Sequence, residues 1–136
     1  YQTLQSAKRE SQSAGLICVF GAAGGGRDRW KRPEFGRIAA QCCREIILTS
    51  DDPDDEDPAK IAGEILQGIP STIRAIARIV LDRREAIRAA LRDAKPGDTV
   101  IITGMGAQPW FIIDGKKIPW DDRSVVRAGL VNLART

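Results

Sequence analysis

The chain has 136 residues, of which 43% are hydrophobic and 29% charged, a composition typical of one soluble globular domain. It contains no histidine, which excludes Ser-His-Asp and Cys-His catalysis and every histidine-based metal site. The formal net charge is +3, but six of the seven residues 51–57 are acidic, so a basic body carries one acidic loop. No apolar run is long enough for a membrane helix, and the basic residues do not cluster with aromatic residues as in nucleic-acid-binding proteins.

Short apolar runs alternate with amphipathic stretches along the chain. The apolar runs predict strands over residues 16–20, 45–49, 77–81, 99–103 and 110–113, and the last is followed by the hairpin signal Asp114-Gly115 and a short return strand at Lys117-Ile118. This order predicts an α/β fold: a single Rossmann-like, three-layer domain with a mostly parallel sheet and an antiparallel edge hairpin.

Helices are predicted over residues 1–14, over residues 33–44, and after three capping aspartates, Asp57, Asp82 and Asp122. Pro58 is suited to the first position of its helix. In the last helix the apolar spacing predicts that Val126, Leu130 and Leu133 face the core.

The three cysteines, Cys18, Cys42 and Cys43, are an odd number and have no CxxC spacing. This pattern argues against a disulfide framework or a zinc site. We therefore expect buried thiols in a reducing compartment.

Three loops of unusual composition follow predicted strands, at residues 21–32, 50–57 and 104–109. Ligands of such sheets bind beyond the carboxyl ends of the strands, which makes these loops the predicted site.

The first loop is rich in glycine. Backbone N–H groups at Gly24, Gly25 and Gly26 can form a nest for an anion beside a helix N-terminus, although a plain glycine-rich turn is the alternative. Arg27 and Asp28 stand where a P-loop has Lys and Ser/Thr, so this loop is not predicted to hold the γ-phosphate of ATP. One of the nearby basic side chains is expected to face the cleft and the others to be solvated; these are Arg27, Arg29, Lys31 and Arg32.

The second and third loops supply oxygen and amide groups. Asp51, Asp52 and Asp54 can hold a cation, either magnesium or a substrate ammonium, whereas Asp55, Glu56 and Asp57 are expected to be solvated or to cap the next helix. The third loop combines a flexible turn at Gly104 with the amide of Gln108.

Five ordered blocks carry a resemblance to a known family. They read FGAAGGGRDRWKRPEFGRIAA, ILTSDDPDDEDPAKI, DRREAIRAAL, KPGDTVIITGMGAQ and IPWDDRSVVR, and together they span residues 16–133. In this order they resemble the C-terminal domain of UDP-N-acetylmuramoyl-tripeptide synthetases, the MurE-type Mur ligases.

The resemblance implies a function for a larger protein. Residues 1–136 would be the third, amino-acid-docking domain of a cytoplasmic ATP-dependent ligase of peptidoglycan synthesis. Other domains, absent from this chain, would bind the UDP-N-acetylmuramoyl-dipeptide and hold most of the ATP and Mg²⁺. This domain would then contain no catalytic residue and no metal ligand, would bind neither nucleic acid nor membrane, and would be inactive in isolation.

The resemblance also assigns roles to single residues. Arg27 matches the arginine that binds the carboxylate of the incoming amino acid, and Gly104 matches a glycine that contacts the substrate. Asp52 stands where many relatives have Asn, and Gln108 where the diaminopimelate enzymes have Glu. Asp54 replaces the arginine that would pair with the distal carboxylate of diaminopimelate, so L-lysine or a similar diamino acid is the predicted substrate.

Two other functions remain open at this point. One is a sister amide ligase of the folylpolyglutamate or cyanophycin type. The other is an anion- or nucleotide-binding module without catalysis.

Overall fold

The computed structural model describes residues 15–24, 29–51, 56–104, 110–113 and 116–134. The predicted helix over residues 1–14 and the predicted turn at Asp114 and Gly115 lie outside the described residues. The strands are β1 (Leu16–Phe20), β2 (Glu45–Leu48), β3 (Ala77–Ile79), β4 (Thr99–Ile102), β5 (Trp110–Ile113) and β6 (Lys116–Pro119). The helices are α1 (Lys31–Cys42), α2 (Pro58–Gln67), α3 (Arg83–Asp93) and α4 (Asp122–Ala134), with a 3-10 helix at Ser71–Ile76.

The main sheet is parallel and has the strand order β3-β2-β1-β4. Strand β1 lies between β2 and β4, and its Cys18 pairs with Ile46 of β2 on one side and with Ile101 of β4 on the other. Strands β5 and β6 pair antiparallel in a separate two-stranded sheet, rather than along an edge of the main sheet. The predicted mostly parallel α/β fold is confirmed.

Two apolar layers cover the faces of the sheet. Alternate residues of β1 point to opposite faces, which explains why the whole strand is apolar. Leu16, Cys18 and Phe20 belong to the layer that includes residues of α1 and α2, whereas Ile17 and Val19 belong to the layer that includes residues of α3 and α4. The result is a three-layer arrangement of helices, sheet and helices.

The starts of α2 and α3 follow the sequence signals. The Asp57 carboxylate accepts a hydrogen bond from the Ala59 N–H at 2.9 Å, and Pro58 occupies the first turn of α2. The Asp82 carboxylate accepts from the Glu85 N–H at 3.1 Å. Both predicted caps are confirmed, because each aspartate satisfies a backbone N–H that has no partner within its helix.

The prediction for α4 is wrong by one residue. Asp121 caps this helix by accepting from the Arg123 N–H at 3.1 Å, while Asp122 is the first helical residue and is buried. The buried face therefore carries Val125 and Gly129. Of the residues predicted to face inward, Val126 is only partly buried, and Leu130 and Leu133 are 51% and 38% exposed.

The prediction of three free thiols is also wrong. Cys18 in β1 and Cys43, just after α1, form a disulfide, and their Cα atoms are 6.3 Å apart. Cys42 is the free, buried cysteine among the described residues. The spacing of cysteines in the sequence could not show that the end of α1 returns to the face of β1 that carries Cys18.

Candidate functional site

The described first residues of the loops that follow β1, β2 and β4 lie together at the carboxyl end of the sheet, as predicted. They meet because these strands are adjacent and parallel, so their carboxyl ends lie side by side. Between the loops and α1 lies a cavity of about 540 Å³. Its lining residues are Phe20, Gly21, Ala22, Ala23, Phe35, Ile38, Asp51, Thr103 and Gly104.

Asp51 and Gly104, two of the predicted site residues, are in direct contact. Gly104 has a φ of 106°, a conformation that side chains disfavour, and a Cβ atom at this position would collide with the Asp51 carboxylate. A Cβ atom at Gly21 would collide in the same way with the Thr49 carbonyl oxygen. The two glycines therefore let the three loops approach each other closely.

The cavity is mostly apolar, with one carboxylate in its lining. Phe35 and Ile38 of α1 form part of the apolar wall, and each is 38% exposed. Asp51 is 9% exposed, so its carboxyl group is largely withdrawn from solvent. A pocket of this kind suits a small ligand with an aliphatic portion and a cationic group.

Arg32 lies inside the protein. The sequence left open whether this side chain faces the cleft or is solvated; it is 1% exposed, so it is not solvated. The guanidinium donates to both carboxylate oxygens of Glu56 at 3.0 Å, to Glu64 at 2.7 Å and to the Ala23 carbonyl oxygen at 2.9 Å. It therefore ties α1 to the glycine loop, to the end of the acidic loop and to α2.

Arg29 joins the same network from the protein surface. Its guanidinium donates to Glu64 at 2.8 Å, and its side chain is 48% exposed. Hydrogen bonds from Arg29 and then Arg32 hold the pKa of the Glu64 carboxyl below its usual range. The Lys31 ammonium lies 5.5 Å from the ring centre of Trp30, which is 71% exposed.

The remaining predicted residues divide into two groups. Gly24 is buried in the loop after β1, and Lys31 is the first residue of α1. The others lie outside the described residues, and their roles stay predictions; they are Gly25, Gly26, Arg27, Asp52, Asp54 and Gln108.

A residue that the sequence did not single out lies behind the site. Arg83, at the start of α3, donates to the carbonyl oxygens of Ser50 and Thr103 and to both carboxylate oxygens of Asp122. The available signal was a charged residue at the first helical position after a strand, at the edge of the sheet where ligands bind. The sequence did not indicate that this charge would be buried.

Two negative findings concern the described ranges only. Within them, no group of three or more His, Cys, Asp or Glu side chains is arranged to hold a metal ion. Also within them, no helix is both long and apolar enough to cross a bilayer.

Known proteins are similar to this chain in sequence and in fold. The family model "Mur ligase, glutamate ligase domain" matches residues 1–106. Curated relatives include UDP-N-acetylmuramoyl-L-alanyl-D-glutamate–2,6-diaminopimelate ligases of two bacteria. That of Trichormus variabilis is 44% identical over 95% of this chain and 25% of the relative, and that of Nitrosomonas europaea is 47% identical over 89% of this chain and 22% of the relative.

A solved structure of an enzyme with the same name is similar to this chain. It superposes with a TM-score of 0.85 at 36% identity, covering 98% of this chain and 27% of the other. The chain thus spans about a quarter of the length of the relatives it matches. The family match covers most of the chain, and the parallel sheet and its loop-lined edge agree with it. The chain therefore belongs to the Mur ligase glutamate ligase domain family, with the tripeptide-synthetase type as its relatives.

Proposed function

We propose that this chain is the amino-acid-docking domain of a cytoplasmic, ATP-dependent ligase of peptidoglycan synthesis. The whole protein would add a diamino acid to UDP-N-acetylmuramoyl-dipeptide. Residues 1–136 would form the docking domain, and the rest of the protein would bind the UDP-linked peptide. The observation that carries the proposal is the contact between Asp51 and Gly104 in a cavity at the carboxyl edge of the sheet.

The residues of this chain do not fit the main site for ATP and Mg²⁺. The glycine loop has Arg27 and Asp28 where phosphate binding and magnesium coordination require Lys and a hydroxyl group. When bound elsewhere in the protein, ATP would supply the phosphoryl group that activates the carboxylate of the peptide. The contribution of this domain is to bind and orient the incoming amino acid and to exclude water from the reacting groups.

Arg27 would bind the carboxylate of the incoming amino acid through two parallel hydrogen bonds. The neighbouring Gly24, Gly25, Gly26 and Lys31 would add an electropositive rim to the same loop. The amino group then stays free to attack the activated peptide carboxyl. Asp51, Asp52, Gly104 and Gln108 would line the rest of the amino-acid site.

Asp54 would select the side chain of the amino acid. A carboxylate at this position repels the distal carboxylate of diaminopimelate and attracts an ammonium, which favours L-lysine or a similar diamino acid. The buried carboxylate of Asp51 supports a cationic substrate as well. The second candidate is diaminopimelate, which is the substrate named for the relatives.

The test restores the upstream domains and follows ATP-dependent phosphate release with UDP-N-acetylmuramoyl-dipeptide. L-Lysine and meso-diaminopimelate are compared as acceptors. We expect turnover with lysine, loss of about two orders of magnitude in Arg27→Ala, and a shift toward diaminopimelate in Asp54→Arg.

The other outcomes are distinct. Turnover with diaminopimelate alone would keep the family function and contradict the role of Asp54. Turnover with folate or cyanophycin acceptors instead would indicate a sister ligase. No acceptor-dependent turnover at all would favour a binding module without catalysis.

A further inference from the structure

Arg83 connects two loops that the sheet itself does not connect. Strand β1 lies between β2 and β4, so no ladder hydrogen bond joins the loop after β2 to the loop after β4. The Arg83 guanidinium bridges this gap by donating from Nη1 to the Ser50 carbonyl oxygen at 3.0 Å and from Nη2 to the Thr103 carbonyl oxygen at 3.1 Å.

The two carbonyl groups belong to the residues that immediately precede the site. Ser50 comes before Asp51, and Thr103 comes before Gly104. Asp51 and Gly104 are the pair whose contact leaves no room for a Cβ atom. The Arg83 guanidinium therefore contacts both loops directly beside the residues that line the cavity.

Asp122 holds that guanidinium in one orientation. Its two carboxylate oxygens accept from Nε and Nη2 of Arg83 at 2.8 and 2.7 Å, which is the bidentate geometry of an arginine–carboxylate pair. The Trp120 indole N–H donates to the same carboxylate at 2.6 Å. The Arg83 side chain is 1% exposed and that of Asp122 is 7% exposed, so the pair is withdrawn from solvent.

Stability alone is a weak explanation for such a pair, because buried ion pairs contribute little net free energy relative to apolar side chains of the same size. A planar guanidinium is required when one group must reach two carbonyl oxygens and a carboxylate at fixed angles. Lysine retains the charge but cannot reproduce these directions.

We propose that Arg83 is a positioning residue for amino-acid docking: it fixes the loops that carry Asp51 and Gly104, and Asp122 fixes Arg83. This inference rests on the proposed function for its kinetic consequence. Its structural part, the fixing of the two loops, is independent of that function.

The chain offers a matched control at the opposite end of the same strands. Arg44 immediately precedes β2, Asp98 immediately precedes β4, and the two form an ion pair in which the Asp98 side chain is 2% exposed. Arg44→Lys therefore perturbs an ion pair between the amino ends of β2 and β4, far from the cavity. Arg83→Lys perturbs the hydrogen bonds to the Ser50 and Thr103 carbonyl oxygens, which join the carboxyl ends of the same strands.

The experiment measures both variants in the full-length enzyme. For Arg83→Lys we expect the KM of the acceptor amino acid to rise about tenfold or more, with the KM of ATP unchanged within about twofold. For Arg44→Lys we expect both KM values to stay within about twofold of wild type. Hydrogen–deuterium exchange should become faster in peptides covering residues 49–51 and 102–104 of Arg83→Lys, and not in those of Arg44→Lys.

Unchanged amino-acid KM and unchanged exchange in a folded Arg83→Lys enzyme would overturn the proposal. If that variant does not fold, Asp122→Asn and Trp120→Phe should raise the same KM about threefold, because they keep the Arg83 side chain while weakening the contacts that orient it. Unaltered kinetics in both would also overturn it. If the wild-type protein shows no acceptor-dependent turnover, the proposed function fails, and the exchange comparison still decides whether Arg83 fixes the two loops.

Discussion

Asp98 shows how single hydrogen bonds stabilise a charge in this domain. Its carboxylate accepts from the Lys95 N–H at 2.8 Å and from the Gly15 N–H at 3.0 Å, and it pairs with Arg44. The hydrogen bond from the Lys95 backbone, followed by that from Gly15 and by the charge of Arg44, holds the pKa of this carboxyl below its usual range. The ionised form is therefore the one that the folded protein favours.

This charge predicts a dependence of stability on pH. Because the folded pKa is depressed, the contribution of Asp98 is complete above its unfolded pKa of about 3.9 and is lost as the pH falls through the folded pKa. We expect Asp98→Asn to lower the free energy of unfolding by about 2 kcal/mol at pH 7, and by much less in strong acid. Urea denaturation at a series of pH values measures this. A deficit that does not shrink on acidification would contradict it.

Gly104 provides a second test at the scale of one residue. An alanine there would have a positive φ and a Cβ atom against the Asp51 carboxylate. We expect Gly104→Ala to cost about 1–3 kcal/mol of stability and to raise the KM of the acceptor amino acid. The control is Gly63→Ala in α2, where a Cβ atom would meet nothing within 4 Å, so a gain of about 0.5–1 kcal/mol is expected. Equal effects of the two substitutions on the free energy of unfolding would contradict the expected cost of a Cβ atom at position 104.

At the scale of elements, helices α1 and α2 approach each other through glycines. A Cβ atom at Gly36 of α1 would collide with the Ile65 carbonyl oxygen of α2, and one at Gly68, just after α2, would collide with the Pro33 carbonyl oxygen. Backbone atoms cannot move aside as the end of a flexible side chain can. The separation of these helices is therefore set by the absence of side chains at both positions.

We expect Gly36→Ala to force α1 and α2 apart and to lower the free energy of unfolding by about 1–3 kcal/mol. Chemical denaturation of Gly36→Ala and Gly63→Ala side by side measures the effect, since both place an alanine in a helix of the same pair. A Gly36→Ala protein as stable as wild type would show that the helices can separate without cost.

The strands were more predictable than the long-range contacts. Strands β1, β2 and β4 differ from the predicted runs by at most one residue at an end, because a parallel strand covered by helices on both faces is a short apolar run. The start of α4 was not predictable in the same way. Asp121 and Asp122 are both good capping residues, and the choice between them goes with the ion pair to Arg83, which is distant in sequence.

The candidate site also has a part that the sequence predicted and a part that depends on long-range contacts. Topology predicted that the loops after β1, β2 and β4 would meet, and Asp51 and Gly104 do lie together. The burial of Arg32 and Arg83 was not predictable, because both arginines are buried by partners that come from other loops and helices. A single sequence shows where an arginine occurs, but it does not show which hydrogen-bond acceptors surround that arginine in the folded protein.

At the scale of the whole molecule, the proposed function predicts that docking and activation of substrate are separate. The glycine loop lacks the Lys and hydroxyl residues of a P-loop. We therefore expect the 136-residue chain produced alone to fold and to release no phosphate from ATP with any acceptor. Adding the remaining domains should restore phosphate release. Turnover by the isolated chain would contradict the assignment of ATP binding to another domain.

The position of β1 inside the sheet also has a consequence for biosynthesis. Leu16 pairs with Thr99, so the β1 edge facing β4 stays open while the ribosome completes everything between them. An apolar strand with one unpaired edge is a template for pairing with other chains. Nascent chains of this domain therefore expose an unpaired apolar edge until β4 emerges, and premature termination before Thr99 should yield aggregates rather than a smaller folded protein.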